Sequence, residues 1–251
     1  MNVFIEKNIV QIKMSRNKSV IIIIVSICFL LVSLLLWQQG EIDRDIVLYQ
    51  NYFFSNAFII TSAELTSKYG MSIISILLGI LLLINQATDK DKTDQSIFFY
   101  IILTFAAASI TGDILKEIFN RARPVIELSN QILQTETNSS PSFPSGHATK
   151  SAALALPFIF MMSNSSKTKV VFKILTLFIA ILVCYSRVIL QKHYLSDILA
   201  GIGIALLFTV LSILIVNYLY KYRNISEGKL HSLNNRLVVI FFALSVVLTM
   251  I

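Results

Sequence analysis

Residues 19–37 read SVIIIIVSICFLLVSLLLW, an apolar run without a charged side chain. A helix needs about 20 such residues to cross the hydrocarbon core of a bilayer, so this run predicts a membrane-spanning helix. Lys13, Arg16 and Lys18 lie just before it. The run is long for a signal peptide and lacks a small-x-small cleavage site, so we predict an uncleaved anchor.

Further apolar runs indicate that most of the chain lies in the membrane. Of the 251 residues, 55% are hydrophobic and 14% are charged, whereas a soluble domain has roughly a quarter charged residues. We predict an all-α, polytopic membrane helix bundle with a six-helix core and a seventh, C-terminal helix. The stretch 52–69 is ambiguous, because it suits either an extension of the second helix or an interfacial segment. The predicted helices after the first cover 70–85, 97–115, 147–162, 170–186, 197–219 and 237–251.

The positive charges divide the chain into segments and predict its orientation. We expect a cytoplasmic N-terminal segment at 1–18, a membrane domain at 19–219, and a basic linker with the extra membrane helix at 220–251. Loops on the N-terminal side hold most of the lysines and arginines, and such loops face the cytoplasm. The net charge of +7 does not indicate nucleic-acid binding, because the cations fall between apolar runs rather than along one basic face.

The first polar cluster is KEIFNRARP, residues 116–124, at the outer end of the third predicted span. Lys116 and Arg123 are separated by about two helical turns, so we expect both side chains to project from one face of a helix. Pro124 is expected to end that helix.

Two further clusters follow on the same predicted side of the membrane. In PSGH, residues 144–147, Ser145 is suited to cap a helix, and the backbone N–H groups that follow, beginning with Gly146, form an anion site. In SRVILQKHYLSD, residues 186–197, His193 and Asp197 are four positions apart. On a helix they share a face, so the carboxylate can orient the imidazole.

The three clusters combine cations, a helix N-terminus, two histidines and a carboxylate, which is an inventory suited to a phosphoryl group. Arginine and lysine neutralise the oxygens, one imidazole attacks phosphorus, and the other protonates the departing oxygen. No cluster has the ligand spacing of a dedicated metal site, so we predict neither a metal nor another cofactor.

Taken together, the pattern resembles the three-part signature of the type-2 phosphatidic acid phosphatase superfamily, in its membrane lipid phosphate phosphatase branch. The resemblance implies that His193 is the nucleophile, forming a phosphohistidine, with Asp197 holding its other nitrogen. It implies that His147 is the general acid for the leaving group and later the base that activates water. The residues that it assigns to the phosphoryl oxygens are Lys116, Arg123, Arg187, Ser145 and Gly146.

This resemblance implies a metal-independent phosphatase, and several alternatives stay open. A lipid phosphotransferase would use the same phosphohistidine, and a non-enzymatic transporter would use intramembrane charges to line a path. Vanadium haloperoxidases resemble the same signature but are soluble. The substrate is expected to be undecaprenyl pyrophosphate, phosphatidylglycerol phosphate, phosphatidic acid or lipid A 1-phosphate. We expect a bacterial inner-membrane protein surrounded by membrane lipids, with a cytoplasmic N-terminus and a periplasmic active site.

Lys150 lies outside the three-part signature, about one helical turn after His147. A lysine near a helix end often extends its ammonium group to the lipid headgroups, which is one interpretation. The other is that Lys150 contacts a second anionic group of the substrate, because an ammonium without a counter-ion is costly at membrane depth.

Overall fold

The computed structural model of the chain describes residues 14–88, 92–128 and 140–223. These residues fold into helices joined by short connections, as the sequence predicts. In chain order the helices are α1 (Arg16–Gln39), α2 (Glu41–Phe53), α3 (Ala57–Thr88), α4 (Lys92–Phe119), α5 (Pro124–Glu127), α6 (Gly146–Met161), α7 (Lys167–Ile189) and α8 (Leu195–Arg223).

Five stretches of the described residues are long and apolar enough to cross a membrane: Arg16–Gln39, Ala57–Ile84, Ile97–Glu127, Lys167–Ile189 and Leu195–Tyr218. Many of their large apolar side chains, such as Ile21 and Leu35 on α1, face outward. Such a surface requires lipid around it. The chain is therefore an all-α membrane protein. The predicted seventh helix at 237–251 lies outside the described residues.

Helix α6 is enclosed by its neighbours and begins with Gly146 and His147 of the second cluster. It packs against α3, α4, α7 and α8. Small side chains such as Ala148, Ala152 and Ala153 are buried along it and allow this close approach. With 16 residues, α6 is shorter than the five spanning stretches, although the sequence predicts a spanning helix there.

Two glycines on α8 set its distance from two neighbouring helices. A Cβ atom at Gly201 would lie 2.9 Å from the Thr149 backbone nitrogen and 3.0 Å from the Ser145 carbonyl oxygen. A Cβ atom at Gly203 would lie 3.0 Å from the Leu30 side chain on α1. A larger residue at Gly201 would force α6 away from α8, because backbone atoms lie in the way, and one at Gly203 would require the Leu30 side chain to move.

The ambiguous stretch 52–69 belongs to two helices. Gly40, with a φ of 63°, turns the chain sharply after α1, and α2 begins at the next residue. Because Asp43 and Val47 are fully buried while Tyr49 and Tyr52 are exposed, α2 is a distinct helix with one inward face. Residues from Ala57 onward extend the second spanning helix, α3. The sequence does not predict α2 as a separate helix.

Candidate active site

The loop between α7 and α8 folds back on itself and carries His193. The backbone N–H groups of Lys192 and His193 donate to the Arg187 carbonyl oxygen, at 3.1 and 3.3 Å. Gln191 adopts a φ of 54°, the left-handed conformation that commonly ends a helix. The reversal holds His193 next to Arg187, and its side chain is almost fully buried. His193 therefore precedes α8 instead of lying on a helix with Asp197, which corrects the sequence prediction.

His193 Nδ1 lies 2.8 Å from the Ser142 carbonyl oxygen and 3.5 Å from Asp197 Oδ2. A carbonyl oxygen can only accept a hydrogen bond, so Nδ1 carries the proton and Nε2 keeps its lone pair. Burial, and then the charges of Arg187, Arg123 and Lys116, hold the pKa of His193 well below its ordinary value. The imidazole is therefore neutral near pH 7, the form required of a nucleophile.

Asp197 is fully buried at the start of α8 and makes its shortest contacts away from His193. Its Oδ2 accepts from the Tyr194 backbone N–H at 2.9 Å, and its Oδ1 accepts from Arg121 Nη1 at 2.8 Å. The carboxylate therefore caps the first turn of α8 and pairs with an arginine. The family resemblance implies that Asp197 holds the His193 nitrogen that does not attack. That nitrogen is Nδ1, and the Ser142 carbonyl oxygen lies closer to it than Asp197 does.

The PSGH cluster forms the N-terminus of α6. Ser145 is the N-cap, and its hydroxyl accepts from the Ala148 backbone N–H, as predicted. The backbone N–H of Ser145 donates to the Asp197 carbonyl oxygen at 3.0 Å, which ties α6 to α8. A Cβ atom at Gly146 would lie 3.4 Å from Lys116 Nζ. Glycine therefore allows this ammonium to approach the helix N-terminus, which itself favours an anion.

The predicted phosphate-binding cations converge on this N-terminus from different elements. Arg187 is nearly buried and donates to the Ser67 hydroxyl on α3. Arg123 donates to the carbonyl and hydroxyl oxygens of Ser140, at 2.8 and 2.9 Å. Electrostatic interactions connect Lys116 with Arg123 and Arg187, and also with the carboxylate of Asp113.

The predicted geometry of the first cluster is wrong in one respect. Helix α4 ends at Phe119, Asn120 follows with a φ of 41°, and Arg123 is the N-cap of α5. Lys116 and Arg123 therefore do not share one helix face. Pro124 is the first residue of α5, a position that proline favours because its missing N–H needs no partner there.

His147 and Lys150 occupy the accessible face of α6. Gly146, His147 and Lys150 are partly exposed, whereas Ala148 and Thr149 between them are buried. Positions three and four apart lie on one side of a helix, so these residues face the same space. His147 interacts electrostatically with Arg187, His193, Lys150 and Lys116. The structure thus brings both histidines and all the predicted cations to one end of the bundle.

Several residues of the site are missed by sequence reasoning. Arg121 lies two positions before Arg123, yet its side chain is only 8% exposed and forms ion pairs with Asp43 and Asp197, at 3.0 and 2.8 Å. Asp43 also accepts from the Ser196 backbone N–H at 3.1 Å. The one sequence signal for Arg121 is its position in the cluster KEIFNRARP, between Lys116 and Arg123.

No group of at least three His, Cys, Asp or Glu side chains suited to a metal ion occurs within residues 14–88, 92–128 and 140–223. The charges around the candidate site are instead mostly cationic, which favours an anionic ligand.

Known proteins are similar to the part of the chain that contains this site. Residues 97–221 match the PAP2 superfamily. The chain is 35% identical over 112 residues to phosphatidylglycerophosphatase B of Bacillus subtilis, covering 43% of this chain and 52% of the relative. It is 29% identical over 135 residues to undecaprenyl-diphosphatase of Sulfolobus acidocaldarius, covering 54% of this chain and 60% of the relative. The chain thus spans little more than half the length of these relatives.

A solved structure shares the fold. It is a transmembrane PAP2 type phosphatidylglycerolphosphate phosphatase from Bacillus subtilis, with a TM-score of 0.55 and 23% sequence identity. The superposition covers 80% of this chain and 98% of the solved one. The matched region contains every cluster predicted from the sequence, from Lys116 to Asp197. This membrane protein belongs to the PAP2 superfamily.

Proposed function

We propose that the protein is an integral membrane phosphatase that hydrolyses a lipid phosphomonoester or diphosphate through a phosphohistidine, without a metal. The observation that carries this proposal is the hydrogen bond between His193 Nδ1 and the Ser142 carbonyl oxygen. It fixes the tautomer in which Nε2 is free to attack. The relatives named phosphatidylglycerophosphatase B and undecaprenyl-diphosphatase support this substrate class.

The first step forms a bond between His193 Nε2 and phosphorus while the bond from phosphorus to the leaving oxygen breaks. His147 gives its proton to that oxygen. In the second step His147 takes a proton from water, the water oxygen bonds to phosphorus, and the bond between Nε2 and phosphorus breaks, which releases phosphate and restores His193. Because His147 is partly buried and interacts with the charges of Arg187, Lys150 and Lys116, an imidazolium is favoured there only once phosphoryl oxygens offset these charges. Substrate binding and the acid role of His147 are therefore coupled.

The phosphoryl oxygens are held by the side chains of Lys116, Arg123 and Arg187 together with the N-terminus of α6. Ser145 fixes that terminus as its N-cap, and the Gly146 N–H group faces the anion. Positive charge placed in advance around the equatorial oxygens stabilises the transition state without reorganisation.

Lys150 contacts a second anionic group, so a diphosphate lipid is the preferred substrate. Its ammonium lies on the accessible face of α6 with His147, and it interacts electrostatically with Lys116. One carboxylate, that of Asp113, interacts with Lys116 in this cationic group. The second phosphate of a diphosphate would supply the balancing negative charge.

The test is phosphate release by the purified full chain in detergent, using phosphatidylglycerol phosphate, undecaprenyl pyrophosphate, phosphatidic acid and lipid A 1-phosphate. Release should persist in EDTA, and His193→Ala should abolish it. Wild-type protein quenched in alkali during turnover should carry acid-labile phosphate on His193. Lys68→Ala, which changes an exposed residue on α3, serves as the matched control. Turnover by His193→Ala, or strict metal dependence, would exclude this mechanism.

A further inference from the structure

Three charged side chains form a buried layer beside the candidate nucleophile. Asp43 and Asp197 are fully buried, and the Arg121 side chain between them is 8% exposed. Arg121 Nη1 donates to Asp197 Oδ1 at 2.8 Å, and Nη2 donates to Asp43 Oδ2 at 3.0 Å. One guanidinium thus bridges two carboxylates that come from α2 and α8. This arrangement fixes both carboxylates, because removing Arg121 would leave two buried acidic side chains without their shared counter-ion.

Asp43 caps the first turn of α8 from a different helix. Its Oδ1 accepts from the Ser196 backbone N–H at 3.1 Å, and its Oδ2 accepts from the Ser196 hydroxyl. The first N–H groups of a helix have no partner within the helix, so an external carboxylate stabilises that end. The Ser33 hydroxyl on α1 donates to the Ser196 carbonyl oxygen at 2.8 Å. The turn that carries Asp197 is therefore held from two directions.

Arg121 also fixes the residue next to His193. Its guanidinium lies 4.0 Å from the centroid of the Tyr194 ring, within range of a cation–π interaction. The Tyr194 hydroxyl donates to Glu127 Oε2 at 2.7 Å, and burial together with this bond raises the Tyr194 pKa, which keeps the hydroxyl a donor. The backbone on the C-terminal side of His193 is thus held at Tyr194 and again at Asp197.

We infer that Asp43 and Arg121 are positioning residues for His193, an inference that rests on the proposed function. They set the first turn of α8 and the direction of the Asp197 carboxylate, which lies 3.5 Å from His193 Nδ1. Their hydrogen bonds are made to Ser196, to Asp197 and to each other, on the side of Asp197 away from His193. A loss of this network should slow the attack on phosphorus while substrate binding is kept.

The test compares Asp43→Asn, Arg121→Met and Arg121→Lys in the purified full chain. The rate of phosphohistidine formation in a single turnover measures positioning, and its amplitude measures the folded, competent fraction. We expect Asp43→Asn to lower that rate and kcat by about tenfold to 100-fold, with KM within about twofold of wild type. Arg121→Lys, which keeps one charged donor, should fall between Arg121→Met and wild type.

Arg44→Met is the matched control. Arg44 neighbours Asp43 on α2 and pairs with Glu127 at 3.5 Å, but both side chains are nearly half exposed, at 49% and 44%. Its removal should leave the rate of phosphohistidine formation unchanged. If Asp43→Asn does not fold, Ser196→Ala removes one contact of Asp43 without changing charge, and we expect a rate about two- to fivefold lower.

The outcomes separate this inference from the proposed function. A wild-type rate of phosphohistidine formation in Asp43→Asn, with only the amplitude or the unfolding temperature reduced, would make the network purely structural. In that case wild type would still form phosphohistidine at His193. A wild-type protein that forms none would instead overturn the proposed function. In the Ser196→Ala experiment, an unchanged rate would likewise contradict the inference.

Discussion

Lys150 is the residue whose charge bears most directly on the choice of substrate. It faces the same space as Gly146 and His147, one helical turn further along α6. Lys116, which approaches the Gly146 position, is part of the same cationic group. The site thus extends from the helix N-terminus along one side of α6. Under the proposed function, two linked phosphates would lie along this side.

Lys150→Met should raise KM for a diphosphate lipid by about tenfold, or ~1.4 kcal/mol, because a charged contact to the second phosphate is lost. A lipid with one phosphate should bind nearly as well as before. Steady-state kinetics on undecaprenyl pyrophosphate and phosphatidic acid give both values. Equal effects on the two lipids would instead identify Lys150 as a lysine that reaches the headgroup layer.

The depressed pKa of His193 predicts the acid limit of activity. The proposed attack requires the neutral imidazole of His193, whose pKa lies well below the ordinary value, so the nucleophile should stay competent below about pH 6.5. The midpoint of the acid limb in the pH profile of kcat/KM should therefore lie below that pH. The second ionisation of the substrate phosphate, at about pH 6, also contributes to the profile. It is measured separately by phosphorus NMR, and its contribution is subtracted. A limb above pH 6.5 would contradict the neutral, buried state.

Side chains of the site are predictable from the sequence where chemistry alone identifies them, and the supporting groups are not. The histidines and cations stand out because ionisable residues are rare in this apolar chain. The Ser142 acceptor is a backbone carbonyl, which every residue possesses. Asp43 is 153 positions from Ser196, and no local pattern connects residues so far apart.

At the scale of helices, spans are easier to predict than their ends. Apolar length predicts α1, α3, α4, α7 and α8, but the end of α4 depends on Asn120, whose left-handed φ has no strong sequence signal. Proline can end one helix or begin the next, and Pro124 begins α5. Helix α2 is missed because its mixed polar and aromatic composition resembles a loop.

Gly201→Ala should destabilise the contact between α6 and α8. The new methyl group would lie at 2.8–3.0 Å from Thr149 and from the Ser145 carbonyl oxygen, and overpacking of this kind costs about 1–3 kcal/mol. Gly112→Ala is the control, since its Cβ would meet Thr149 and Pro144 at 3.7–3.9 Å. Unfolding in detergent, followed by the fluorescence of Trp37, should show a loss for Gly201→Ala alone. Similar stability of the two variants would contradict this packing argument.

At the scale of the whole molecule, the two ends of the bundle differ in their use of charge. At the end opposite the candidate site, Lys18 donates to the Phe160 carbonyl oxygen and Lys173 to that of Met162. At the site, the cations face the space beside α6. We propose that the lysine-rich end is cytoplasmic and that the site acts on the outer leaflet.

Cysteine labelling tests this orientation. In a background with Cys28 and Cys184 replaced by serine, Tyr52→Cys places a thiol at a position 78% exposed on α2. It should react with an impermeant reagent added to intact cells, whereas Ser165→Cys at the other end should react only after permeabilisation. The reversed pattern would place the site in the cytoplasm and change the lipids available to it.

The Ser67 hydroxyl that receives the Arg187 hydrogen bond lies on α3, before the region that matches the superfamily. A chimera that joins residues 97–221 to the first three helices of a distant relative would therefore inherit all three clusters of the candidate site. It would also need a hydroxyl placed as in Ser67, since a buried polar group that loses a hydrogen bond is destabilised. Exchange between relatives should accordingly succeed when α3 and α7 are transferred as a pair, or when the α3 of the relative carries a hydroxyl at the position of Ser67.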